Sequence, residues 1–210
     1  MTQTNPRSAS PDMRRRILDQ ASALLAESGP DGLSMRKLSQ RIGTSTIVLY
    51  THFRDKPAIL DELFVEGFER LHGDLLAVPD NLEPVARVME LGRAYRRSAV
   101  ANATYYQLMF SRCVPGFDPS AQSRQASKAA FAVLRDAVAR CVDAGLVAPG
   151  DPVEIAHTLW GTLHGLISLE LFGYLPPSVS GQARLEQAIE VIAAGMRVAA
   201  PNTETPGIPT

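Results

Sequence analysis

Residues 33–56 read Leu-Ser-Met-Arg-Lys-Leu-Ser-Gln-Arg-Ile-Gly-Thr-Ser-Thr-Ile-Val-Leu-Tyr-Thr-His-Phe-Arg-Asp-Lys, and this stretch decides the fold. Met35, Leu38 and Ile42 recur at helical spacing behind Ser34, whose hydroxyl suits a helix N-cap. Gly43 ends that helix, because a left-handed residue after a helix favours glycine. Thr44 then bridges to Ser45, a second cap, and a second helix runs through Ile47, Val48, Leu49 and Tyr50. Two short helices, a glycine-containing turn and a small residue, Ser39, four before the glycine make a helix-turn-helix. In that motif the second helix lies in the major groove of DNA.

Leu49-Tyr50-Thr51-His52-Phe53, followed by Lys56, resembles the signature that closes the DNA-binding domain of TetR-family transcriptional repressors. The Gly43-Thr44-Ser45 turn and the upstream Ala21-x-x-Leu24-Leu25-x-x-x-Gly29 pattern fall where that family has them, and the likeness runs from about Arg15 to Leu63. Trp160-x-x-x-His164-Gly165 is similar to a signature in the C-terminal domain of one TetR subfamily. Ile47 departs from the pattern, since many members carry Gly or Pro there; the operator sequence is therefore open. The resemblance implies an all-α protein. Its N-terminal three-helix head binds DNA, and its C-terminal helical body binds an inducer between its helices and dimerises through a four-helix interface.

Charge agrees with a head that points at phosphates. The 210 residues carry a formal charge of −1, which argues against a general nucleic-acid coat protein. Residues 1–57 hold nine Lys/Arg against five Asp/Glu, or +4, and residues 58–210 hold −5. A basic head on an acidic body fits a protein with one DNA-facing end, although short segments also vary in charge by chance. Two cysteines, Cys113 and Cys141, make no disulfide framework. The N-terminus lacks an apolar signal-peptide core. Leu159 to Leu175 is interrupted by His164 and Glu170, against a membrane span. The expected compartment is the cytoplasm.

The periodicity predicts about nine helices and no strand. Residues 1–11 read as a disordered arm, 12–57 as the helix-turn-helix domain, 58–200 as the ligand-binding and dimerisation domain, and 201–210 as a Pro/Thr-rich disordered tail. The first helix begins at Ser10-Pro11-Asp12 and stops at Gly29-Pro30. Asp55 and Pro57 open a fourth helix whose apolar stripe leads from the head into the body. Asn81 is the expected cap of the fifth. The eighth helix, from Asp151-Pro152 to about Phe172, is apolar on all sides, through Ile155, Leu159, Trp160, Leu163, Leu166, Ile167, Leu169 and Leu171. Such a helix must be covered on both faces, and a second subunit is the simplest cover. Gly161-x-x-x-Gly165 offers a flat spot for a neighbouring helix. Helix nine adds a stripe that includes Ala188 and Ile192. A homodimer interface is thus expected at Gly161, Gly165, Leu169, Ala188 and Ile192.

In the second motif helix, Thr46, Ile47, Val48 and Thr51 occupy groove-facing positions. Hydroxyls suit either kind of base edge, and Ile and Val pack on thymine methyls. Leu49 and Phe53 face the head's own core. By resemblance Tyr50, His52 and Lys56 are phosphate contacts, which fix register rather than read sequence; a packed histidine is the other reading of His52. Arg36 matches a base- or phosphate-reaching position, or is a solvated arginine. Ser34 and Ser45, at the two helix starts, complete the DNA-binding set. Arg14-Arg15-Arg16 is either a run along the DNA backbone or a solvated face.

The body supplies Phe64, Phe68, Tyr95, Tyr106, Met109, Phe110, Trp160 and His164 as candidate ligand-binding residues. An aromatic wall with few polar tips suits a mainly apolar effector, and an ordinary core is the alternative for each residue alone. Trp160 and His164 stand one turn apart, and His164 is the polar candidate. No phosphate loop, nucleophile elbow or paired-carboxylate motif appears, so no enzyme activity and no cofactor are expected. His157 and His164 stand about 10.5 Å apart along a helix, too far to share a metal at bonding distance. A metal-sensing regulator and a DNA-binding protein without operator preference remain the rival readings.

Overall fold

The computed structural model describes residues 11–110 and 117–196. Cys113, the 1–10 part of the arm and the 201–210 tail lie outside the described residues. Among those described, the chain is helical throughout. Its order is α1 (Pro11–Gly32), α2 (Met35–Ile42), α3 (Thr46–His52), α4 (Lys56–Leu76), α5 (Pro84–Ala101), α6 (Ala103–Phe110), α7 (Ala121–Asp143), α8 (Pro152–Leu171) and α9 (Gly181–Met196).

Helix ends follow local chemistry. Gly29 takes φ 63° and breaks α1 before Pro30, so the expected stop is a kink followed by one more turn. The side chain of Ser34 accepts from the Lys37 N–H, and Gly43 closes α2 at φ 76°, ψ 39°. The N–H groups of Gly43 and Thr44 both reach the Ser39 carbonyl at 3.0 Å, which satisfies the carbonyl end of α2. Ser45 caps α3 and Asp55 caps α4. The start of α5 corrects one expectation. Glu83, not Asn81, accepts from the Val85 and Ala86 N–H groups, each at 3.1 Å. A carboxylate one residue before the helix reaches its first open donors more directly.

Two compact units emerge, one of residues up to Ala77 plus Ala94–Val133, the other of Val78–Arg93 plus the chain from Leu134. The division differs from the expected break at 57/58. Ile59, Leu60 and Leu63 of α4 are fully buried in one core with Ile17 and Ala21 of α1, Leu38 of α2, Leu49 of α3, and Tyr105 and Leu108 of α6. The apolar stripe of α4 therefore serves the head's core first. Gly67 allows α4 and α6 to lie close, since a Cβ there would come within 2.6 Å of the Met109 sulfur.

Asp61 fastens α4 to the start of α7. Its Oδ1 accepts from the Ser120 N–H at 2.8 Å and from the Ser123 hydroxyl at 2.6 Å. Burial opposes the charge, but these bonds, the Ser120 hydroxyl and nearby Arg124 hold the Asp61 carboxyl below its ordinary range. In the second unit, Arg93 forks onto Glu186 of α9 at 2.7–3.1 Å. Buried Arg87 donates to the carbonyls of Val78 and Pro79. A Cβ on Gly92 would press within 2.9 Å of Leu163, so this glycine admits α5 against α8.

Candidate nucleic-acid interface and effector cluster

Helix α3 has seven residues and divides sharply by environment. Leu49 and, just past its end, Phe53 are buried in the head's core, whereas Ile47 is 75% and Tyr50 54% exposed. Thr51 and Arg36 are exposed as well, and Thr46 and Val48 are half-buried. The structure thus brings Thr46, Ile47, Val48, Tyr50 and Thr51 together on one short helix, with Ser45 at its start. The Thr51 hydroxyl donates to the Val48 carbonyl at 2.7 Å, which leaves only its acceptor capacity outward. Ser34 and Ser45 accept backbone N–H bonds at 3.2 and 3.4 Å, and each hydroxyl proton is left over for a second partner.

Several cations expected at phosphates are engaged within the head. Lys56 donates to the Pro30 carbonyl at 2.8 Å, closing the end of α1. Arg16 donates to the Ile42 carbonyl at 2.9 Å. Arg14 and Arg15 pair with Glu62 and Glu66 of α4. Arg41 grips Glu27 of α1 and holds its carboxyl below the ordinary value. The run Arg14-Arg15-Arg16 therefore serves as a set of braces within the head. The basic excess of the head is partly neutralised at home. His52 is half-buried, and its Nδ1 is enclosed without a hydrogen-bond partner among protein atoms, so that nitrogen does not face a phosphate. Exposed Lys37, beside Arg36 in the first turn of α2, joins the candidate surface. Its position in that first turn was the signal in the sequence.

Six of the eight candidate ligand residues gather in the first unit. Ring contacts run from Phe64 to Phe68 at 4.9 Å, Phe68 to Phe110 at 5.5 Å, Phe110 to Tyr106 at 5.0 Å and Tyr106 to Tyr95 at 6.2 Å. Phe117 adds a further ring 6.0 Å from Phe64. Met109 sits over Gly67 beside this string. Trp160 and His164 are neighbours on α8, with ring centroids 5.5 Å apart. His164 Nε2 stands 3.5 Å from the Ser168 hydroxyl, and burial pushes its imidazole below the ordinary pKa.

The face of α8 that carries Gly161, Gly165 and Leu169 is open. A side chain added at either glycine would meet nothing within 4 Å, and Leu169 is 44% exposed. On α9, Ala188 and Ile192 are half-buried, and Val191, missing from the sequence reading, is 67% exposed. Among the described residues no helix is long and apolar enough to cross a membrane. Nor do three or more His, Cys, Asp or Glu stand together as a metal site among them.

A capped helix-turn-helix at the head of an all-helical chain defines a DNA-binding transcription regulator. The family model for bacterial regulatory proteins of the tetR family matches residues 17–63, and that for the tetracyclin repressor-like C-terminal domain matches residues 88–192. The chain belongs to the TetR family. It is 37% identical over 95 residues to the HTH-type transcriptional repressor Rv1474c of Mycobacterium tuberculosis, covering 40% of this chain and 51% of that protein. It is 46% identical over 59 residues to the class D tetracycline repressor protein of Escherichia coli, covering 28% of this chain and 27% of that one. The chain thus spans about half, or about a quarter, of these relatives. A solved protein of unknown function from Rhodococcus sp. RHA1 superposes with a TM-score of 0.79 at 29% identity, covering 92% of this chain and all of that one. The TetR-family regulator PfmR of Thermus thermophilus, at 20% identity and TM-score 0.68, shares the fold over 85% of this chain and 97% of that one.

Proposed function

We propose that the protein is a ligand-responsive repressor that binds a near-palindromic operator as a homodimer in the cytoplasm. The observation that carries this reading is α3. It is anchored inward by Leu49 and Phe53 while Ile47 and Tyr50 stand in solvent. An isoleucine so exposed at the start of a capped helix has a natural partner in a thymine methyl, with Thr46 and Val48 beside it. Arg36, Lys37 and Tyr50 supply phosphate contacts that fix register, with Ser34, Ser45, Thr51, His52 and Lys56 as the flanking members of the surface.

The second copy docks on α8 and α9, where Gly161, Gly165, Leu169, Ala188, Val191 and Ile192 await an apolar partner. The effector is small and mainly apolar, held in the first unit by the string Phe64, Phe68, Tyr95, Tyr106, Met109 and Phe110, and Trp160 and His164 on α8 are the remaining, polar-tipped candidates. Trp160-x-x-x-His164-Gly165 marks the C-terminal subfamily. Ligand and DNA prefer different separations of the two heads, so each weakens the other by one coupling energy.

Selection of bound duplexes from a random-sequence library by the purified protein tests the reading. Enrichment of one inverted repeat is expected. Equal recovery of all sequences would contradict it and favour a DNA-binding protein without operator preference.

A further inference from the structure

We infer that Arg14 is a positioning residue for α3, acting through Glu62 rather than touching DNA. The inference rests on the proposed DNA-binding reading and adds a device that sets the angle of the recognition helix. Helix α3 is short, and its deeply buried anchors are Leu49 within it and Phe53 at its end. A helix held at so few points needs its far end fixed. One guanidinium does this from α1. Arg14 NH1 donates to the His52 carbonyl at 2.7 Å, at the C-terminal end of α3. That end holds carbonyls without intrahelical partners and the negative pole of the helix, where a cation is favoured. The same guanidinium lies 4.2 Å over the Phe53 ring. Its other edge forks onto the Glu62 carboxylate of α4, through Nε at 3.1 Å and NH2.

Three elements therefore meet at one planar group. A planar fork fixes direction as well as distance, which a lysine ammonium does not. The pair is half-exposed, with side-chain exposures of 46% and 32%, so its contribution to global stability is small. Its value is angular. One turn along α4, Glu66 takes Arg15 of α1 at 3.0 Å and Arg70 at 2.6 Å. Arg70 in turn bonds Asn102 at 3.2 Å and lies 4.7 Å over the Tyr105 ring of α6. This second cluster ties α1 and α6 to α4 beside the clamp, without touching α3.

Charge and geometry make opposite forecasts for Glu62→Gln. Removing a carboxylate near a DNA-facing surface strengthens binding if electrostatics decide. If Glu62 holds Arg14 in place, the same change weakens operator binding. The probes are the duplex that the wild-type protein selects from a random library, a scrambled duplex, and no DNA at all. Arg14→Gln and Glu62→Gln should each lose about tenfold in affinity for the selected duplex, the scale of one mismatched base pair. Affinity for scrambled DNA and the salt slope should stay near wild type. Arg14→Lys should not rescue binding, and Arg70→Gln, which does not touch α3, should bind like wild type without effector. In DNA-free protein, amide exchange at residues 46–53 should quicken in both Arg14→Gln and Glu62→Gln. Equal or tighter operator binding by Glu62→Gln would overturn the inference. So would a salt slope lowered by about 0.9 in Arg14→Gln, which marks a lost phosphate contact. If the wild-type protein selects no sequence, the DNA reading fails, and the exchange measurement alone decides the clamp: unchanged exchange at 46–53 rejects it.

Discussion

Both α3 and the α8–α9 face carry apolar side chains into solvent, but they do so in different company. Ile47 stands beside hydroxyls on a helix capped by Ser45, in a head that also exposes the cations Arg36 and Lys37 on α2. Leu169 and Val191, 44% and 67% exposed, stand among glycines and alanines. An apolar residue framed by donors and positive charge suits a nucleic acid, where methyl groups and phosphates alternate. An apolar residue framed by small ones suits another helix, because small residues let backbones approach. Exposed hydrophobic area names a partner only through the residues that surround it.

The largest expected effect breaks the second half of this comparison. Leu169→Glu and Val191→Glu place a charge where a partner subunit would exclude water, at a cost of several kcal/mol per buried ion. Sedimentation should show monomers for both at micromolar concentration, with helical content intact. An unchanged dimer would move the interface elsewhere. Gly165→Leu should act in the same direction at about 1–3 kcal/mol, by overpacking.

Next comes the tie between α4 and α7 in the first unit. Asp61→Asn leaves the buried Ser123 hydroxyl and the Ser120 N–H with a weaker acceptor and should destabilise by about 1–3 kcal/mol. The Asp61 carboxyl is held below its ordinary range. Its contribution is therefore full above the unfolded-state value of about 3.9 and is lost as pH falls through the lower folded value. Urea midpoints across that window should fall more steeply for wild type than for Asp61→Asn. Parallel curves would remove Asp61 from this role.

Much of the head was legible because its signals are local. Each cap bonds an N–H three residues on and the Gly43 N–H reaches back four residues to Ser39, so Ser34, Gly43, Ser45 and Asp55 announce themselves. Partners of the arginines were not legible. Arg14 and Glu62 are 48 positions apart, and nothing in a charge run tells a brace from a DNA contact. Nor does the sequence announce that the Lys56 ammonium donates to the Pro30 carbonyl at the end of α1. In α8, all-round apolarity forecast a second cover, but which face stays open depends on tertiary packing, and Val191 went unnoticed for that reason. The aromatic residues were readable as a class. That Phe64, Phe68, Phe110, Tyr106 and Tyr95 touch in sequence required three helices to be placed.

A smaller effect sharpens the first half of the comparison. Ile47→Ala should change stability by no more than about 0.5 kcal/mol, because the side chain is in solvent. It should shift preference among operator variants by about 1 kcal/mol at a thymine, the scale of buried methyl groups. Unaltered preference in a competition assay would take Ile47 out of base reading. Smallest is the pH response of α8. Burial lowers the His164 pKa, so the unfolded chain binds the extra proton first. Stability should therefore decline as pH drops below the unfolded value of about 6.5 toward the folded one. His164→Gln should flatten that part of the melting-temperature profile, and an unchanged profile would mean the imidazole stays in water.

The central claim is that two copies, joined through α8 and α9, set two α3 helices in successive major grooves. The direct measurement compares affinity for the selected operator with affinity for the same operator carrying five extra base pairs at its centre. Five base pairs turn one half-site about half a helical turn away from the other, since half-sites one turn apart are about 10–10.5 base pairs from centre to centre. The account predicts that the insertion lowers affinity to nearly the level of random DNA, and that ten inserted base pairs restore part of it. Equal binding to the native and five-base-pair operators would contradict the account.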